Sequence, residues 1–88
     1  MQPLEWGEEQ YAESEVWIST TCGEAFLSCD GTFVYVAIRP SLGNYYKFPS
    51  RSMALFFFRS CKSCTNIDDL SGFVQKYKDN LVEKHPVD

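Results

Sequence analysis

The chain has 88 residues, 44% of them hydrophobic, 16% aromatic and 23% charged, with a formal net charge of −4 at pH 7. A chain this short forms one domain that buries about 60–65% of its unfolded surface, too thin a core to house a large cofactor as well. Its hydrophobic content excludes wholesale disorder, so the abundant aromatics must fill the core or mark a contact surface. The charge is segregated. Residues 1–30 hold seven acids and no bases, and residues 31–65 hold five bases and no acids. Such a distribution steers or orients an approaching partner, or neutralises itself where the two halves lie side by side.

No stretch approaches the roughly 18 consecutive apolar residues of a membrane helix, and the N-terminus lacks the basic-then-apolar order of a signal peptide. The expectation is a cytoplasmic chain in a reducing compartment with no membrane contact, so its four cysteines are read as free thiols. Residues 1–14 read as an acidic arm, anchored by Leu4, Trp6 and Tyr11, with a short helical turn over 8–13 as its one local element.

From Glu15 the pattern becomes period two. Residues 16–22 alternate and are rich in β-branched side chains, Gly23-Glu24 suggests a turn, and 25–29 alternate again. Asp30-Gly31 is the strongest short-range hairpin signal in the chain, and 32–39 make a third strand before Pro40. Residues 45–48 suggest a short fourth strand, stopped by Pro49. Two-residue turns would place Val16, Ile18, Thr20, Cys22, Ala25, Leu27, Cys29, Val34, Val36 and Ile38 on one aliphatic face. Trp17, Phe26, Phe33 and Tyr35 would then share the other, with Phe26 opposite Tyr35.

Residues 50–63 fit a helix carrying Met53, Phe57, Cys61 and Cys64 on one stripe better than they fit a buried strand. As a helix this segment would shield part of the aromatic face. Residues 66–84 predict the longest helix, with Ile67, Leu70, Phe73, Val74, Tyr77 and Leu81 at 3.6-residue spacing and an N-cap at Thr65 or Asn66. Lys84 and His85 would complement its C-terminal end before Pro86 stops it. The fold class is therefore α+β: a three- to four-stranded antiparallel β-meander packed against a C-terminal amphipathic helix, with a second short helix before it. Residues 15–85 form the domain, 1–14 the arm and 86–88 a tail.

Cys61 and Cys64 form a Cys-x-x-Cys pair ahead of the last predicted helix. A redox role would want a βαβ context, which this meander lacks. Zinc would need two more ligands. In the predicted register Cys22 and Cys29 are about 13 Å apart along a strand, and His85 lies at the far end of a helix roughly 27 Å long. The plainer reading makes the pair the end of a buried element, with no metal and no cofactor. One histidine, no nucleophile elbow and no glycine-rich phosphate loop argue against an enzyme.

Two binding readings remain. In the first, the chain is a small protein-binding module that contacts another protein through Trp17, Phe26, Phe33 and Tyr35, or through the arm acids Glu5, Glu8, Glu9 and Glu13. Its size and acidity share the format of phage-type inhibitors of host or defence factors, in which carboxylates mimic nucleic acid toward a basic surface. The alternative is single-stranded nucleic acid bound by Arg39, Tyr45, Tyr46, Lys47, Arg51 and Arg59, where rings would stack bases over a basic groove. The acidic pI of about 4.8 speaks against it.

Overall fold

A computed structural model of the chain describes residues 3–40 and 42–84. Among these residues six strands run in sequence order across one antiparallel sheet: β1 Gln10–Ala12, β2 Glu15–Ser19, β3 Ala25–Asp30, β4 Phe33–Ile38, β5 Leu42–Lys47 and β6 Leu81–Lys84. Between β5 and β6 lie α1 Arg51–Lys62, α2 Ile67–Gln75 and a single 3₁₀ turn, Lys78–Asn80. The α+β class and the antiparallel meander stand as read from the sequence, with two strands more than the upper expectation.

The hairpins show why alternation is a robust signal. The β2–β3 loop has four residues, not two. Thr20 closes it by donating its backbone N–H to Ala25 O and accepting from Ala25 N at its hydroxyl, and Gly23 takes a φ of +77°. In the next hairpin Asp30 pairs with Phe33, so the turn residues are Gly31-Thr32 and only Gly31 needs positive φ, as in a II′ turn. Both registers therefore differ by two positions from the expected ones. Phe26 pairs with Ala37, and it is Ser28 that pairs with Tyr35. A slip of two leaves every side chain on its predicted face, where a slip of one would have inverted the sheet. Val16, Ile18, Ala25, Leu27, Cys29, Val34, Val36 and Ile38 are at most 5% exposed. Cys22 is the exception, since the longer loop carries it to the surface.

Both helices cover this aliphatic face. Ser50 caps α1 by accepting from Met53 N at its hydroxyl, and the buried set Ala54, Phe57, Phe58 and Cys61 has the i, i+3, i+4, i+7 spacing of one helical face. That set corrects the expected stripe, because Met53 is 51% exposed while Phe58 is in the core. In α2, Leu70 and Val74 reach the core and Asn66 is the N-cap, accepting from Asp69 N. Phe57 is the hub, with ring centroids of Phe48, Tyr46, Phe73 and Tyr77 4.7–5.6 Å away.

Two expectations are corrected at the ends of the chain. The predicted 66–84 helix stops at Gln75. Its last carbonyls are taken by tighter turns at Lys76 and Tyr77, and Asn80 then donates its side-chain amide to Lys47 O at 3.0 Å. That bond turns the chain back along β5, so Leu81 packs on the core from a strand paired with Tyr46, and Lys84 pairs with Asn44 instead of ending a helix. His85 and Pro86, assigned to the helix end, lie outside the described residues. At the other end, the expected arm and its helical turn are replaced by an edge: Tyr11 pairs with Val16, Trp6 bridges Thr20, and buried Leu4 donates its N–H to Thr65 O.

Candidate functional site

With both helices on one side of the sheet, the other side has no cover among the described residues. In-register neighbours on this open face form two rows across β2–β5. One row reads Trp17, Ser28, Tyr35, Tyr45, and the other reads Glu15, Asp30, Phe33, Lys47. Phe26 stands beside the first row. Its ring centroid is 6.1 Å from that of Tyr35, which in turn is 4.5 Å from Tyr45. Lys47 Nζ lies 5.5 Å from the centre of the Phe33 ring, and Phe33 is 43% exposed. Trp17, Phe26, Tyr35 and Tyr45 are each partly exposed. Partial burial raises the Tyr35 phenol above its ordinary value, so it remains a neutral donor well past neutral pH. A groove of about 300 Å³ lined by Asp30, Phe33, Tyr45, Val82 and Glu83 flanks the rings.

The structure thus brings Trp17, Phe26, Phe33 and Tyr35 together on an uncovered surface. α1 does not shield them, because its apolar stripe is spent on the opposite face. Tyr45, expected among the nucleic-acid residues, completes the ring cluster. Its sequence signal is the parity of the fourth strand, Tyr45 and Lys47 out and Tyr46 in.

The acids proposed as a second contact do not act together with those rings. Glu5, Glu8 and Glu13 are exposed along the N-terminal edge, with Glu13 at a φ of +50° in the β1–β2 turn. Glu9 is engaged within the chain: Lys62 Nζ lies 2.6 Å from its carboxylate, and Tyr11 donates its hydroxyl to the same group. Those two hydrogen bonds, Lys62 first, hold the Glu9 carboxyl below its ordinary value. The acidic and basic halves of the sequence are therefore joined at this point.

The residues considered for nucleic acid are dispersed. Tyr46 is 2% exposed in the core with its hydroxyl accepting from Asn44, and Arg51 donates to Gly31 O at 2.9 Å. Lys47 and Tyr45 face out from the sheet, Arg59 lies exposed on α1, and Arg39 follows β4. No single groove joins the six.

The Cys-x-x-Cys pair sits at the C-terminal end of α1, not at the start of a helix. Cys61 is fully buried and Cys64 accompanies it with its thiol directed to Ser60 O at 3.6 Å. Burial pushes both thiols up, the reverse of what a reactive thiolate needs. Among the described residues no group of three or more His, Cys, Asp or Glu is arranged to hold a metal ion, and no helix is long and apolar enough to cross a membrane.

A second surface went unnoticed in the sequence. Met53 and Phe56 of α1, at 51% and 67% exposure, border an apolar groove of about 310 Å³ with Phe48, Phe57 and Tyr77. Comparison with protein-family models, with curated proteins and with solved structures finds no match to this chain.

Proposed function

We propose that this chain is a non-enzymatic protein-binding module whose contact surface is the open face of its sheet. One observation carries the reading: five rings, Trp17, Phe26, Phe33, Tyr35 and Tyr45, are gathered on the side of the sheet that neither helix covers. Antiparallel sheets tolerate water on one face when that face is polar. Here ring carbon takes the place of polar side chains, and clusters of Trp and Tyr with small neighbours are what protein contact surfaces are built from.

The narrower reading, an acidic inhibitor presenting carboxylates to the basic surface of a host or defence factor, rests on Glu5, Glu8 and Glu13, since Glu9 is committed to Lys62. The test is affinity capture from the native cell with the wild-type chain, Trp17→Ser, and the triple charge reversal of Glu5, Glu8 and Glu13. Loss of a bound protein in Trp17→Ser with an unchanged circular dichroism spectrum supports the open face. Loss confined to the charge reversal moves the contact to the acidic edge. Capture indifferent to both removes the proposal.

A further inference from the structure

The open face carries a pattern that matches its own mirror order. Along one row the side chains run acid, acid, ring, base: Glu15, Asp30, Phe33, Lys47. Glu15 and Asp30 are direct cross-strand partners, and like charges in that position destabilise a sheet. Lys47 lies beyond Phe33, two strands from Asp30, and among the described residues the ion pair within 4 Å is Lys62–Glu9, elsewhere in the molecule. The acid pair and Lys47 thus face outward on opposite halves of one surface.

A surface that pairs with itself about a two-fold axis needs residue i to meet j while j meets i. Place that axis parallel to the strands, between β3 and β4, and it lays β2 over β5 of a second copy and β3 over β4. Glu15 then falls on Lys47 of the other copy, twice over. Trp17 falls on Tyr45, and Tyr35 falls on Ser28, the small residue that Trp17 and Tyr35 flank in register. A ring meets a recess at the centre and charge meets opposite charge toward the rim. Asp30 falls on Phe33 of the other copy, whose ring has Lys47 Nζ 5.5 Å from its centre. The other in-plane axis, across the strands, lays each strand on itself, so Lys47 of β5 meets neither Glu15 of β2 nor Asp30 of β3, and the acids are covered with no cation opposite them, which is costly. Charge therefore selects the axis along the strands.

We propose that the occupant of the open face is a second copy of this chain, joined by this two-fold axis into an aligned β-sandwich. The inference rests on the reading of the open face as a protein-contact surface and names the partner. Four strands at about 4.8 Å spacing and five residues at about 3.4 Å span roughly 19 by 17 Å. Two such faces have a projected area of about 650 Å², below the roughly 1,000 Å² of specific, stable interfaces, so the dimer is weak and concentration-dependent. The acidic edge at Glu5, Glu8 and Glu13 stays outside the contact.

Sedimentation velocity from low-micromolar to near-millimolar protein tests this, with Glu15→Lys, Lys47→Glu, their double exchange and Trp17→Ser. Wild type is expected to pass from monomer to dimer. Each single reversal should weaken the dimer by at least about tenfold, since it sets like charges together, and the double exchange should restore it. A dilution series of wild-type amide spectra, which needs no variant to fold, should move resonances of Trp17, Ser28, Tyr35, Tyr45 and Lys47 and leave those of α1 and α2 in place. A chain that stays monomeric, single reversals without effect, a double exchange that does not restore pairing, or shifts confined to the helices would each overturn the proposal. If the chain is monomeric yet loses a foreign partner on Trp17→Ser, self-pairing falls and the protein-binding reading stands. If it is monomeric and capture is also indifferent to Trp17→Ser, both fall.

Discussion

On the covered face of the sheet Leu27, Cys29, Val34 and Val36 have no exposed surface, while the residues between them, Phe26, Ser28, Phe33 and Tyr35, all keep some contact with water. The same strands supply both faces, from alternate positions. On the covered side small aliphatic residues form a flat layer, and the bulk comes from the helices, through Phe57, Phe58, Leu70 and Val74. On the open side the sheet supplies the bulk itself and nothing among the described residues closes over it. Ring area on the first face is therefore expected to appear as folding stability, and on the second as capacity for association. That difference can be broken by substitution.

The largest effect belongs to the hub of the covered face. Phe57→Ala removes the ring that Tyr46, Phe48, Phe73 and Tyr77 surround, and should destabilise the fold by about 3–5 kcal/mol, measured by urea unfolding. For a domain this small, that is a large share of the total. A loss below about 1 kcal/mol would mean that the helices are not seated on the sheet as described. Next comes Gly72→Ala, in the middle of α2, where an added Cβ meets nothing within 4 Å. It should stabilise by about 0.5–1 kcal/mol, read as a higher unfolding midpoint. A decrease would mean that this side of α2 is packed against something.

The parts of the fold legible in the sequence were those held by period. Both sheet faces follow from alternation between Val16 and Ile38, and they survive a two-residue error in each hairpin because two is the period of the strand. The turns themselves were misplaced. Thr20 closes the first loop with its own hydroxyl, a side-chain contact no composition rule anticipates, and Thr32 is not a residue that advertises a turn. The C-terminal error is of another kind. Leu81 follows Tyr77 by four, which suits a helix, but Asn80 is captured by Lys47 O across 33 positions of sequence, and tertiary pairing with β5 overrides local spacing. Asp79-Asn80 was the local cue for that break. Of the open-face cluster, four rings are legible from parity, and Tyr45 follows the same rule, facing out while Tyr46 faces in, although the neighbouring charges Arg39, Lys47 and Arg51 point to a different use for its strand.

A smaller effect distinguishes the edge from both faces. Glu9 and Lys62 join the N-terminal strand to α1, with Lys62 39% exposed at its side chain, so the pair contributes about 0.2–1 kcal/mol. Because folding lowers the Glu9 carboxyl below its ordinary 4.5, its contribution is complete above that pH and is lost as pH falls through the folded value. Lys62→Met should remove most of this acid-limb slope in a pH series of unfolding free energies, while Arg39→Met leaves the slope unchanged. An unaltered slope in Lys62→Met would place the proton uptake elsewhere.

The smallest effect on stability is expected where exposed ring surface is removed. Phe33→Thr keeps a strand-favouring residue in β4 and gives up little beyond the Lys47 contact, so unfolding free energy, measured below the concentration of self-association, should change by less than about 1 kcal/mol. Against Phe57→Ala this is the sharpest form of the comparison: two phenylalanines in one small domain, one whose loss undoes the fold and one whose loss leaves it intact. If Phe33→Thr instead cost as much as a core substitution, the ring would have to be buried in the monomer. The open face would then already be closed by part of this same chain, with no room for a second molecule.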